Sequence, residues 1–387
     1  MAAQAQARPQ QASPQQINAA QRKLVVNQSV KMKQSIASGT VAPTTTPVLN
    51  IIPRNVGLIL RFIVQYTATF AELGSSSTTA TDYGAYNVFS NIQFTDLQNN
   101  QRHNSYGFHF GLTSSVKERQ AWLSAQTLAQ TEGNYGANWS LTSVTAPTTE
   151  ATGSATGVLE IPISYSDEDL RGSIYANVVA NQMQLQLTIN PRPAPASGDD
   201  TFAVFYGGAA SSISSLTYNI YQEYYDQIPT GAQGVVLPTL DISTVYQLLY
   251  SNFTSIAQNQ DNYYQYTNFR RFMGTFMIYN NSGTVGGRET GGDIGYLAQV
   301  SANFTNIFKV NAQEQARICR RILGVDPPPG TYYFGTRMKP IYTLTYGNMQ
   351  LDINPTTAGA NAYALFLWEF FALQNTLSSA GSLPANG

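Results

Sequence analysis

Two histidines, one cysteine and a charged fraction of 11% are what 387 residues offer to acid–base, thiolate or metal chemistry. A lone cysteine excludes an internal disulfide and supplies no thiolate zinc site. Cys319 falls in the helical stretch from Ala312 to Leu323 and reads as a small buried hydrophobe. His103 and His109 stand six apart beside Arg102, and without further ligands they read as ordinary polar side chains. No uninterrupted apolar run of about 18 residues occurs, and the N-terminus has no apolar signal-peptide core. The expectation is a soluble chain made in a reducing cytosol.

Cofactor motifs are missing too. The glycine-rich stretch from Gly283 to Gly295, with Gly286-Gly287-Arg288, lacks the lysine and spacing of a phosphate loop and reads as a surface loop. Asp167-Glu168-Asp169 has the carboxylates for a cation but follows Ser166 as the solvated start of a capped helical turn does. Glu223 or Asp226 could serve one half of a glycosidase carboxylate pair, and no pattern supplies the other half. No catalytic residue, metal site or cofactor is therefore expected, and an enzyme is not.

Acidic residues are absent from the whole opening segment. The first is Glu72, after seven bases: Arg8, Arg22, Lys23, Lys31, Lys33, Arg54 and Arg61. The rest of the chain carries fourteen bases against twenty-two acids, a net −8. Five of the early bases lie in residues 1–33, a Gln/Ala/Pro-rich stretch too poor in large apolar residues to form a core alone. Residues 1–45 therefore read as a basic arm. Ser13-Pro14-Gln15-Gln16 forms a capping box with proline at the first helical position, and Ile17, Ala20 and Leu24 follow at helical spacing. The pattern predicts a helix from Pro14 to about Gln28 that orders only against a partner, because so short a helix is marginal in water. Anionic lipid headgroups or nucleic acid phosphates would attract Arg8, Arg22, Lys23, Lys31 and Lys33; a solvated tail is the plain alternative.

What the chain has in quantity is Tyr, Phe, Asn, Gln, Ser and Thr in short alternating segments between Gly and Pro. Leu58, Leu60, Phe62, Val64, Tyr66 and Phe70 share one parity and Arg61, Gln65, Thr67 and Thr69 the other, the period of a half-buried strand. Further strands are expected at Val88 to Leu97, Gly157 to Ser164, Met183 to Ile189 and Leu216 to Tyr224, with a helix from Thr113 to about Leu128. A Pro/Gly linker from Asp226 to Gly234 separates a second series: Val235 to Leu249, Phe272 to Tyr279, Thr331 to Phe334, Ile341 to Ile353 and Ala362 to Leu373, with a helix from Asn311 to Leu323. In Ile341 to Ile353 the apolar parity slips across Gly347-Asn348, which requires a bulge or hairpin. The fold class is all-β: two antiparallel sandwiches or jelly rolls in tandem, at 46–230 and 231–387, with short helices in loops and the helical arm in front. Tyr263, Tyr264, Tyr266 and Phe269, ahead of Arg270-Arg271, favour a protein interface over single-stranded nucleic acid.

Several segments resemble one family. Tyr218 to Pro229 (YNIYQEYYDQIP), Leu237 to Tyr246 (LPTLDISTVY) and Lys339 to Asn348 (KPIYTLTYGN) are similar to passages of the major capsid proteins of PRD1-like tectiviruses. Asn99 to His103, Asp169 to Gly172, and the basic helix from Arg317 to Ile322 followed by Pro329 to Tyr333 keep the family's order. Each motif is weak alone; their collinearity over most of the chain beyond about residue 50 makes the match specific. The resemblance implies a double jelly roll of two eight-stranded antiparallel barrels or sandwiches, and a homotrimer, pseudo-hexagonal because each chain brings two similar domains. It also implies an icosahedral bacteriophage shell over an internal membrane, with the arm on the inner side. Partners would be neighbouring trimers, minor capsid and vertex proteins and that membrane, without sequence-specific nucleic acid binding. The chain would be made in the bacterial cytoplasm and reside in the virion. A jelly-roll receptor- or carbohydrate-binding virion protein, using Tyr263 to Arg271 or the Gly283 to Gly295 loop, is the alternative.

Overall fold

The computed structural model describes residues 14–73, 79–81, 83–118, 139–142, 151–177, 181–191, 202–206, 212–231, 234–235, 244–267, 269–281, 294–301, 303–323, 330–335, 340–343 and 347–373. In the first half, Val30–Val41, Ser212–Asp226, Leu58–Leu73 and Ala151–Pro162 lie side by side in that order, with the short Trp139–Thr142 beyond them. A second layer holds Val48–Ile51, Gln184–Ile189, Phe89–Thr95 and Gln101–Ser105. With Trp139–Thr142 set aside and the others counted along the chain, the two orders are 1-8-3-6 and 2-7-4-5.

The second half repeats both orders. Thr244–Thr254, Tyr363–Leu373, Arg271–Asn280 and Thr331–Gly335 form one layer; Asn262–Gln265, Gln350–Pro355, Ile294–Val300 and Asn306–Asn311 form the other. A helix separates the fifth and sixth strands in each half, Gly107–Glu118 in the first and Ala312–Leu323 in the second. Two eight-stranded jelly rolls of one topology therefore stand in tandem. They are also fused: Gln101–Ser105 pairs in parallel with Thr244–Thr254, His103 opposite Leu248, so one sheet runs through both rolls.

Side-chain parity explains the packing. Phe62, Val64, Tyr66 and Phe70 are buried in the core of the first roll, where Phe62 and Tyr66 meet Phe94 and Phe89 of the opposite layer at 5.3 and 5.0 Å between ring centroids; a bulge at Leu60 breaks the parity, so that Ile59 joins that core and Leu58 and Leu60 a separate cluster. Tyr363–Leu373 is buried on both faces. Leu365, Leu367 and Phe371 join the core of the first roll, whereas Phe366, Trp368 and Phe370 join that of the second. A strand shared between two cores needs apolar residues at both parities, as YALFLWEFFAL has. The one charge in it, Glu369, accepts the Tyr246 hydroxyl at 2.6 Å.

Four expectations are corrected. Residues 30–41, assigned to the arm, are the first strand of the first roll, laddered to Ser212–Asp226 from Val30↔Asp226 to Val41↔Leu216. Lysines and a bulge between Ser35 and Ala37 mark it as an edge strand protected against further pairing. The turn at Ser166 is not helical: the Asp169 N–H donates to Ser166 Oγ at 3.0 Å and the Ser166 N–H to the Asp169 carbonyl, so it closes on itself. The run from Ile341 to Ile353 divides between layers, Ile341–Tyr342 pairing with Arg271–Asn280 and Gln350–Pro355 with Ile294–Val300, around Gly347 at φ 75°. The helix expected from Thr113 begins at Gly107, and residues 119–128 lie outside the described residues. Among the described residues no helix is long and apolar enough to cross a membrane.

Candidate functional site

The two histidines are structural. His103 is fully buried; its Nδ1 accepts the Leu248 N–H at 3.1 Å, so the proton sits on Nε2, which donates to the Pro162 carbonyl at 2.7 Å. Burial drives its pKa down to about 3. A ring held neutral at the seam between rolls is a fastener. Arg102 beside it is also buried, its Nε on Asp96 at 2.7 Å and its Nη1 on the Gly172 carbonyl. Asn99 to His103 and Asp169 to Gly172 are thus parts of one knot. His109 is buried against Ser105 at 2.7 Å. Among the described residues no three metal-type side chains cluster.

The arm helix Pro14–Gln28 docks on the end of the first roll. Val25 is fully buried among Leu58, Leu60, Leu170 and Tyr225, a contact of about 2 kcal/mol. The acidic turn receives the bases. Arg22 Nη1 lies 3.4 Å from Asp169, Lys31 Nζ 2.6 Å from Asp167 and 3.2 Å from Glu223, and Arg61 joins Glu160, Asp167 and Glu223. Lys33 Nζ sits 4.7 Å over the Tyr221 ring. Among the described residues Lys23 is exposed without a partner, and Arg8 lies outside them. Sequence reasoning did not link the basic arm to Ser166-Asp167-Glu168-Asp169, although the matching charges were visible.

The helix turns an unexpected face outward. Ile17 and Leu24 are 47% and 36% exposed, and Ala20 between them is exposed as well, whereas Ala19, Arg22, Val25 and Val26 face the protein. The stripe read at helical spacing is therefore the free one.

The aromatic cluster is divided rather than gathered. Tyr263 is exposed and meets Phe304 edge-on at 5.1 Å; Phe269 is exposed in the left-handed region at φ 59°. Tyr264 packs inward on Phe366 and Trp368 at 4.7 and 5.7 Å. Tyr266 is a correction: it is 2% exposed, inside the second core, and cannot face a neighbour. Behind Tyr263, Asp261 accepts hydrogen bonds from Tyr296, from Asn354 at 2.7 Å and from Tyr263 at 3.3 Å, while Asp352 is buried with Oδ1 unpartnered. Burial and the nearby Asp261 charge push the Asp352 carboxyl up to about 6.

Two fused rolls of one topology with a docked arm define a double jelly-roll protein. Comparison with known proteins gives the lineage. The family models for the P3 major capsid protein match over residues 1–228 for its N-terminal part and 243–385 for its C-terminal part. The major capsid protein P3 of Enterobacteria phage PRD1 is 33% identical, over 99% of this chain and 97% of that protein. This chain belongs to the P3 major capsid protein family. Its fold is shared by the major capsid protein of Sulfolobus turreted icosahedral virus, STIV, at TM-score 0.62 and 13% identity over 92% of this chain and 100% of that one. The PBCV-1 virus capsid aligns at TM-score 0.51 and 9% identity over 88% of this chain and 94% of that one.

Proposed function

We propose that the chain forms homotrimeric, pseudo-hexagonal capsomers that tile an icosahedral bacteriophage shell over an internal membrane. The observation that supports this most is the repeated strand order: three copies of a chain with two rolls of one topology present six similar walls, so a closed three-fold ring approximates a hexagon. In this reading the rolls meet near residue 230, trimer contacts are larger and more apolar than contacts between trimers, and minor capsid and vertex proteins fill the remaining positions.

The arm helix lies on the inner side. Its outward Ile17, Ala20 and Leu24 stripe beside Lys23 suits a shallow amphipathic contact with anionic lipid, with Arg8 adding charge ahead of it. Arg22, Lys31 and Lys33 hold the arm to its own roll instead. The test is flotation of assembled protein with phosphatidylglycerol vesicles, comparing the wild type with a chain carrying Ile17→Gln, Lys23→Gln and Leu24→Gln. Loss of flotation with oligomers intact is expected. Equal flotation of both contradicts the lipid role.

A further inference from the structure

Arg270 is the buried charge that the fold does not explain. It is 3% exposed, as Arg102 is 2% exposed, but the two differ in company. Arg102 faces the Asp96 carboxylate at 2.7 Å. Arg270 has no carboxylate among the described residues: Nη1 donates to the neighbouring Phe269 carbonyl at 3.3 Å, and Nε is buried without a hydrogen-bond partner. Burial alone pulls its pKa down to about 10, so the side chain stays charged at neutral pH. A desolvated guanidinium lacking a counter-ion is costly, and apolar residues of similar volume are commonly better tolerated at such positions.

The setting points outward. Phe269 and Tyr342 are 49% and 41% exposed, and Arg271, paired with Tyr342 across the strands, is exposed too. The backbone is fixed: the Thr343 N–H donates to the Arg270 carbonyl at 2.9 Å and the Arg270 N–H to Thr343 Oγ1 at 3.3 Å. A buried arginine beside an exposed aromatic rim has the composition of an interface hot spot, in which aromatics exclude water from a central charged contact. Arginine's rigid fork suits a carboxylate.

We infer that Arg270 is an anion-accepting anchor, completed on assembly by a carboxylate of a second copy of this chain. This rests on the capsomer reading above. Charge complementarity selects the occupant: the chain beyond its first 71 residues is net −8, so a neighbouring copy presents acids to a lone cation. The anchor belongs to the contact, so the isolated chain bears its cost and the oligomer its benefit.

The full-length protein, diluted stepwise at increasing urea and followed by light scattering, tests this with Arg270→Met. The expected result is a midpoint concentration for dissociation at least tenfold higher than wild type, with the melting temperature of the dissociated chain unchanged or raised. An unchanged midpoint overturns the proposal. So does a melting temperature that falls together with assembly, because Arg270 is then an internal support. Should Arg270→Met not fold, Arg270→Lys keeps the charge but loses the fork: weakened assembly of a folded chain is expected, and wild-type assembly overturns the proposal. A wild type that stays monomeric overturns the capsomer reading as well, whereas an assembling wild type with unaffected variants overturns this anchor alone.

Discussion

Replacing Asp352 by Asn should change how the protein's stability depends on pH, in a direction fixed by the structure. The Asp352 carboxyl lies on Gln350–Pro355 between Tyr263 and Ala298 of the flanking strands, 2% exposed, with Oδ1 unpartnered and Asp261 nearby. Desolvation first, then the Asp261 charge, raises its pKa from 3.8 to about 6. Because the folded-state value is raised, the folded chain holds this proton more tightly than the unfolded one does. The stabilisation is complete below about pH 4 and is lost as pH climbs through about 6. At about 1.4 kcal/mol per pH unit the loss is at most about 3 kcal/mol, and about half that once nearby water screens the charge. Asn carries no proton to lose. Urea unfolding followed by tryptophan fluorescence from pH 4 to 7.5, at one protein concentration, isolates the effect as the stability difference between wild type and Asp352→Asn. That difference should move against the wild type by about 1.5–3 kcal/mol as pH rises. A flat difference, or one that moves in the wild type's favour, refutes the reasoning.

Gly172→Ala should cost about 3 kcal/mol, because φ is 89° and an added Cβ would lie 2.6 Å from the Ile163 carbonyl oxygen and 2.7 Å from Tyr246 Cβ; an unaltered melting temperature would contradict this. Val25→Ala should weaken arm docking by about 1.5 kcal/mol, so that hydrogen exchange speeds roughly tenfold in Pro14–Gln28 and stays constant in Leu58–Leu73; equal change in both segments counts against separate docking. Cys319, buried with its pKa pushed up to about 12 and its sulfur accepting the Tyr333 N–H at 3.0 Å, should resist a thiol reagent at pH 8 until the protein is unfolded. Immediate labelling would show that its helix is open.

Much of the architecture was legible in residue parity. Phe62 to Phe70 and Leu185 to Ile189 alternate cleanly because one face of each strand meets a core and the other does not, whereas a bulge at Leu60 breaks the parity and leaves Leu58, Ile59 and Leu60 all buried. The polar Val30–Val41 strand escaped because an edge strand buries little: its lysines and serines look like an arm until the partner strand is known. The fused sheet escaped too. A parallel pairing of His103 with Leu248 leaves no local signature, and a strand apolar at both parities is equally compatible with a buried helix segment. At the surface, the bases of the arm were visible but not their destinations, because Asp167 and Glu223 are brought to Lys31 by strands distant in sequence. Tyr266 was misplaced among exposed aromatics because a tyrosine-rich run does not say which rings turn inward.

The central claim is that this chain is a shell subunit whose two rolls close into a three-fold ring. Native mass by light scattering coupled to size exclusion, at low and moderate salt, tests it most directly. The account predicts one species of three chains that persists on dilution and in salt, because the proposed trimer contacts are large and apolar and so little screened by salt. A monomer at every concentration would contradict the account.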